Sequence, residues 1–90
     1  IPINVRQVAM LETLARAWSE RRKVKLWYAG MDEEKPKARE FSVYFLEPSA
    51  NGIVCAVGFD SLTHRVRAFT LARIRRVRLL PCPPLAPGFR

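Results

Sequence analysis

The residues of this sequence that are best suited to chemistry are arginines, concentrated in the segment RVRAFTLARIRRVRLL, residues 65–80. This segment holds six arginines and no acidic residue, and most of its other side chains are apolar. An arginine presents a planar fork of N–H donors that can bind one phosphate through two hydrogen bonds. The segment therefore predicts a surface that binds a polyanion.

The charge of the whole chain points the same way. Its 90 residues include 16 Lys and Arg against eight Asp and Glu, which gives a formal net charge of +8 and an isoelectric point near 10.5. Residues 51–90 carry seven arginines, and Asp60 is their single acid. Such a balance favours nucleic acid, nucleotides or an anionic membrane surface as the partner.

Residue patterns typical of enzymes are missing. His64 falls in a predicted turn without a neighbouring acid to orient it, and no glycine-rich phosphate-binding motif occurs. The acids at 32–34 are consecutive and lack the spacing of cation ligands. We therefore expect no enzymatic activity, no metal and no other cofactor.

The cysteines and the hydropathy predict the compartment. Cys55 and Cys82 lie far apart without metal-ligand spacing, and we expect both to be reduced thiols in a cytoplasmic protein. The chain has no apolar run near the ~18 residues that a membrane-spanning helix needs. We therefore expect no membrane span, and of the polyanions we expect nucleic acid or a nucleotide, not a membrane, as the partner.

One helix and about five strands must position the arginines. Asn4 followed by Gln7 resembles a helix start, and a helix is predicted over about Val5 to Arg21. Its apolar residues at helical spacing are Val8, Leu11, Leu14, Ala15 and Trp18. Period-two patterns then predict strands at 23–28, 39–46, 53–59, 65–70 and 75–80.

Two features of the strand pattern affect the fold. Leu71, Ile74 and Val77 also fit a helical spacing, but β-branching and the alternation of arginines favour a turn followed by a strand. On the second strand, Phe41, Val43 and Phe45 are predicted to share the core face. Five closely spaced antiparallel strands favour a small, partly open barrel over 23–80, preceded by the helical segment 1–22 and followed by a proline-rich tail or linker at 81–90.

The fourth strand places basic and aromatic side chains together. Arg65, Arg67 and Phe69 are two residues apart, so they share one face. Arginines beside an aromatic ring can bind phosphates while a base stacks on the ring, which favours single-stranded nucleic acid. The alternative is that Phe69 packs under the helix and the arginines cover a solvated face. The remaining arginines, Arg75, Arg76 and Arg78, are interpreted as a general basic surface.

The order of these segments resembles the WYL domain family. RAFTLARI (67–74) is similar to the family signature Arg-x-Phe-x-Leu-x-Arg-Ile, and REFSVYFL and VKLWY resemble two of its strands. The tripeptide that names the family falls on Val54-Cys55-Ala56, so all three letters differ here, and the usual proline is Val43.

The resemblance implies a fold and a function. The fold would be mainly β with one N-terminal helix, a five-stranded SH3-like (Sm-like) β-barrel. The domain would sense single-stranded DNA, RNA or a nucleotide-type ligand in a basic groove and control an attached helix-turn-helix domain of a bacterial transcription regulator, with a homodimer as a further expectation. The residues that match the family's ligand side are Arg67, Arg73, Tyr44 and Arg39, while Arg65 and Phe69 come from the strand-face argument. The alternatives are a protein–protein assembly module and an isolated Sm-like RNA-binding module.

Overall fold

A computed structural model describes residues 4–30, 35–48 and 54–81. The elements are the helix α1 (Val5–Glu20), the strands β1 (Lys23–Tyr28), β2 (Lys37–Pro48), β3 (Val54–Asp60) and β4 (Arg65–Thr70), a 3-10 turn (Leu71–Arg73) and the strand β5 (Ile74–Leu79). The predicted class, mainly β with one N-terminal helix, is confirmed. The acids at 32–34 and nearly all of the proline-rich tail, from residue 82 onward, lie outside the described residues.

Both ends of α1 are defined by hydrogen bonds. The Asn4 side chain accepts a hydrogen bond from the backbone N–H of Gln7, as the N-cap prediction required. At the other end, the N–H groups of Arg21 and Arg22 bind the carbonyls of Trp18 and Ala17. This pair of contacts is a Schellman motif, and it requires a left-handed residue after the helix. Arg21 occupies that position with φ of 54°.

Replacing Arg21 with glycine is expected to stabilise the protein. A side chain with a Cβ pays a steric cost in the left-handed region, whereas glycine does not. We expect Arg21→Gly to raise the free energy of unfolding by about 1 kcal/mol and the Tm by about 4–8 °C. Thermal unfolding followed by circular dichroism measures the change, and Arg21→Ala is the control, since it removes the charge but keeps the Cβ. A lower Tm for the glycine variant than for the alanine variant would contradict the strain argument.

The predicted apolar face of α1 is rotated from the one that the structure buries. Met10, Leu14 and Ala17 point into the core, whereas Val8 is 42% exposed and Trp18 is 49% exposed. Both sets of residues fit helical spacing, so the spacing could not decide between them. The set that packs against the sheet is the one that the tertiary fold selects.

The five strands form one antiparallel sheet in the order β4-β3-β2-β1-β5. The last strand returns to pair with the first, as in the register Leu26↔Val77, which curls the sheet around its inner face. β4 and β5 occupy the two edges, so the barrel is not closed by hydrogen bonds between them. The prediction of a small, partly open barrel is confirmed, as is the turn followed by a strand at 71–79.

A bulge in β2 changes which of its residues face inward. The register with β3 shifts between Val43 and Phe45, so Tyr44 has no partner across the strand pair. An extra residue reverses the alternation of side chains beyond it. Leu46 consequently packs against the core, whereas Phe45, which was predicted to do so, is 45% exposed.

The core lies between α1 and the inner face of the sheet. Its fully buried residues include Leu14, Val24, Leu26, Phe41 and Phe69. Burial of these side chains supplies most of the stability available to a domain of this size. Within the described part of the chain, no helix is long and apolar enough to cross a membrane.

Candidate anion-binding cluster

Two arginines meet one acid at one end of the inner face, and a third arginine lies on the neighbouring strand. The register pairs Arg65 with Asp60 and Arg67 with Gly58, and cross-strand partners share a face. Asp60 in turn pairs with Phe41, and Arg39 lies two residues before Phe41 on the same face of β2. We call Arg39, Arg65, Arg67 and Asp60 the arginine cluster.

Asp60 is the centre of this cluster. It is fully buried, and its two carboxylate oxygens lie 3.6 Å from Nε of Arg39 and 3.6 Å from an Nη of Arg67. Charge-assisted hydrogen bonds are shorter, about 2.7–2.9 Å, so these contacts are ion pairs without close hydrogen bonding. The hydrogen bonds of the carboxylate go to the turn after β3 instead.

Hydrogen bonds from the turn after β3 hold the Asp60 carboxylate in place. One oxygen accepts the Leu62 N–H at 3.1 Å, and the other accepts the Thr63 hydroxyl at 2.9 Å. The backbone carbonyl of Asp60 also accepts the N–H of His64, whose φ of 56° closes the turn. Asp60 therefore orders the β3–β4 connection and at the same time attracts two arginines.

Arg39 is a buried cation. Its side chain is 2% exposed, and its guanidinium lies 5.9 Å from the ring centre of Tyr28 and 5.1 Å from that of Phe69. Its Nε and one Nη are buried without a hydrogen-bond partner among the described residues. Aromatic faces and the Asp60 charge thus stabilise the group, while two of its donors stay unfilled. Arg39 places positive charge beneath the surface and does not itself face solvent.

Arg67 is the member of the cluster that is both ordered and accessible. Its side chain is 33% exposed, and its guanidinium lies 4.9 Å from the ring centre of Phe69. Arg65 is exposed beside it on the same face. Arg39 and Arg67 share the charge of Asp60. Arg65 adds a third cation nearby, so the cluster keeps a net positive charge. An anion arriving from solvent meets Arg67 and Arg65 first.

The structure does not bring all of the sequence-predicted residues together. Phe69 is fully buried, so its ring supports the guanidinium groups and offers no free face to a base. Arg73 lies half-buried in the 3-10 turn, off the inner face of β4. Tyr44 is 49% exposed at the β2 bulge and lines a different cleft, near the end of α1.

Sequence reasoning missed the part that Asp60 plays. It noted Asp60 only as the single acid of a basic half and did not connect it with the arginines. The available signals were its position at the strand end beside the turn, and the two-residue spacing that puts Arg39 on the face of Phe41. In the described ranges, no group of three or more His, Cys, Asp and Glu side chains is placed to hold a metal ion.

Comparison with known proteins identifies the family. The model of the WYL domain matches residues 9–79, and no curated protein matches the chain. The fold is similar to part of proteasome accessory factor B/C of Arthrobacter aurescens, with a TM-score of 0.77 and 18% identity over 87% of this chain. The similarity covers 12% of that longer chain and shows the fold. Because the family model matches most of the chain, this chain with its helix and curled sheet belongs to the WYL domain family.

Proposed function

We propose that this WYL domain is the regulatory domain of a transcription regulator and that it senses single-stranded nucleic acid or a nucleotide-type ligand through the arginine cluster. The observation that carries the proposal is Arg67, which is one-third exposed and fixed over the ring of Phe69 beside Asp60. An arginine ordered before binding loses little side-chain entropy when it binds a phosphate. Because arginines outnumber acids in the cluster, its net positive charge attracts the phosphate.

The strand geometry suits an extended phosphate backbone. Arg65 and Arg67 are two residues apart on β4, a separation of about 6.6 Å along the strand. Two guanidinium groups at this spacing can each bind one of two neighbouring phosphates. The buried Arg39 offsets the negative charge of Asp60 from below, so the charge of Arg67 stays available to a phosphate.

Occupancy can be passed on through Asp60. A phosphate bound to Arg67 competes with the Asp60 carboxylate, which also orders the turn after β3. A ligand shifts an equilibrium only by its different affinity for the two states, and this competition provides such a difference. The turn is then the segment through which an attached DNA-binding domain or a second protomer senses the ligand.

The test is a titration of fluorescently labelled single-stranded DNA at several salt concentrations. We expect Arg67→Ala to weaken binding by about 10-fold or more, since a hydrogen bond to a charged group contributes about 1.5–3 kcal/mol. The salt dependence of log K should fall by ~0.7 for the lost phosphate contact. Arg73 lies outside the arginine cluster, in the 3-10 turn, but the family resemblance implies a role for it, and we expect Arg73→Ala to weaken binding as well.

The matched control is Arg78→Ala. Arg78 is an exposed arginine opposite Lys25 on the outer face of the sheet, so its removal changes the net charge equally. Equal losses for Arg67→Ala and Arg78→Ala would show that binding depends on general charge and not on the cluster. If neither single strands nor a mononucleotide binds at low salt with a dependence on Arg67, the sensor function is refuted.

A second candidate function is protein assembly. Its support is apolar surface at the edge of the sheet, where Val66 on β4 is 54% exposed and Leu62 in the preceding turn is 49% exposed. Exposed apolar groups next to an open strand edge are typical of contacts with another chain. Analytical ultracentrifugation combined with the DNA titration separates the two candidates, because an assembly module associates without nucleic acid and binds no single strand.

A further inference from the structure

A concave site, apart from the arginine cluster, lies where the C-terminal end of α1 meets β2. The cleft has a volume of about 770 Å³, which is within the range of pockets for small organic ligands. We call it the helix-end cleft. The side chains of its lining include Trp18, Arg21, Arg22, Lys23 and Tyr44. None of the three arginines of the arginine cluster takes part in it.

Two aromatic side chains of the helix-end cleft stay half exposed. Trp18 and Tyr44 are each 49% exposed, although their size would make burial favourable. Trp18 is turned away from the core by the orientation of α1, and Tyr44 occupies the unpaired position of the β2 bulge. Bulges commonly direct a side chain towards a functional site. The two rings provide faces on which an aromatic ligand can stack.

Three consecutive basic residues line the same cleft, and they differ in how far they are engaged. Arg22 donates from Nε to the Leu80 carbonyl at 2.8 Å and pairs with Glu20 at 2.9 Å. Lys23 lies 4.0 Å from Glu40, the outer limit of an ion pair. The side chain of Arg21 makes no hydrogen bond or ion pair with any described residue. Arg21 and Lys23 are therefore the cations available to a ligand.

Glu20, the acid at the end of α1, is bound by arginines other than Arg21. Hydrogen bonds from Arg22 and Arg16 lower the pKa of Glu20, so its carboxylate stays ionised and bound to those two side chains. Of the last four carbonyls of α1, which would repel an anion, those of Trp18 and Ala17 accept the N–H groups of Arg21 and Arg22. The open side of the cleft thus combines aromatic faces with unsatisfied positive charge.

We propose that the helix-end cleft binds one nucleotide unit, with its base against Trp18 and Tyr44 and its phosphate at Arg21 and Lys23. The rings and cations lie in one cavity, and a phosphate linked to an aromatic base is the ligand class that uses both. The unit can be a free nucleotide or one residue of a strand. The site shares no residue with the arginine cluster, so it is independent of the function proposed for that cluster.

The test uses Trp18 as its own reporter. The chain has two tryptophans, so Trp27→Phe leaves Trp18 as the only one. We expect adenosine monophosphate to quench Trp18 fluorescence in a saturable manner, with adenosine and ribose 5-phosphate each binding more weakly. Calorimetric titration of the unaltered chain gives the same affinity without the substitution.

Three variants and one control test the contacts proposed for the base and for the phosphate of the ligand. We expect Tyr44→Ala to weaken nucleotide binding by about 5-fold or more, as loss of a stacking ring does, and Tyr44→Phe to retain binding. Arg21→Gly removes the free cation without steric cost and should weaken binding by about 10-fold. Arg78→Ala, which changes the same charge on the outer face, should have little effect.

The outcomes separate this site from the arginine cluster. Saturable quenching that is lost in Arg21→Gly and kept in Arg67→Ala supports the cleft as a site for a free nucleotide. A second outcome is that a short oligonucleotide binds and adenosine monophosphate does not. If that binding depends on Tyr44 and Arg21, the nucleotide unit in the cleft belongs to a strand. If neither ligand depends on Tyr44 or Arg21, the inference is overturned, while oligonucleotide binding that depends on Arg67 would leave the proposed function intact.

Discussion

Asp60→Asn is expected to lower the free energy of unfolding by about 3–5 kcal/mol, because it leaves the buried Arg39 cation without a compensating charge. The amide keeps the size of the side chain and can still accept the Leu62 N–H. The loss therefore reports on the charge and not on packing. Two of the Arg39 donors already lack hydrogen bonds, so Asp60 is the main polar contact of this group. Urea denaturation followed by circular dichroism measures the change.

The control for this prediction also removes the positive charge of Arg39, which Asp60 balances. Replacing a whole buried ion pair with apolar residues of similar volume is often close to neutral. The double variant Asp60→Asn with Arg39→Met should therefore recover most of the lost stability. Arg67 needs no substitution, since its side chain is one-third exposed and can turn to solvent. A double variant as unstable as Asp60→Asn alone would show that the Asp60 turn contacts, and not the ion pair, carry the effect.

Gly58→Ala is expected to lower the free energy of unfolding by about 3 kcal/mol or more, a large share of the about 5–15 kcal/mol that stabilises a typical domain. A Cβ at position 58 would lie 2.0 Å from the carbonyl oxygen of Ser42 and 2.8 Å from the ring of Phe41. Ser42 cannot move away easily, since its strand β2 is paired with Lys23 of β1 on one side and Phe59 of β3 on the other. Thermal unfolding measures the loss.

A second substitution on β3 is the control for Gly58. Cys55 is a free thiol at an intermediate position, and Cys55→Ala removes one atom without adding any contact. We expect that variant to lie within about 1 kcal/mol of the unaltered chain. A Tm of Gly58→Ala equal to that of Cys55→Ala would show that β2 yields to the added methyl group, and the rigidity argued for the sheet would be wrong.

Local patterns in the sequence were sufficient to predict the structure where a residue's environment depends on its neighbours along the chain. Asn4 predicted the start of α1, since a cap needs only the N–H groups of the next turn. The alternation of side chains in β1 predicted that Val24 and Leu26 face the core of the domain, because no bulge interrupts the alternation between them. The motif over 67–74 pointed to the family that the comparison confirms.

Local patterns failed where a contact between distant segments decides. The spacing of α1 fits two faces, and only packing on the sheet selects Met10 over Val8. The unpaired Tyr44 reverses the rest of β2, so Leu46 rather than Phe45 faces inward. A bulge depends on how one strand aligns with its partner, and that alignment is a property of the pair.

The sequence by itself determined the mainly β class, the basic character of the second half and the candidate arginines, since these follow from composition and short-range periodicity. Only the tertiary structure decided what each candidate does. It buried Arg39 and Phe69, left Arg67 accessible over that ring and put Tyr44 in a separate cleft with Trp18. Burial and charge pairing are set by strands brought together from far apart in the chain. Asp60, which seemed an isolated acid in the sequence, acts on both Arg39 and Arg67 for that reason.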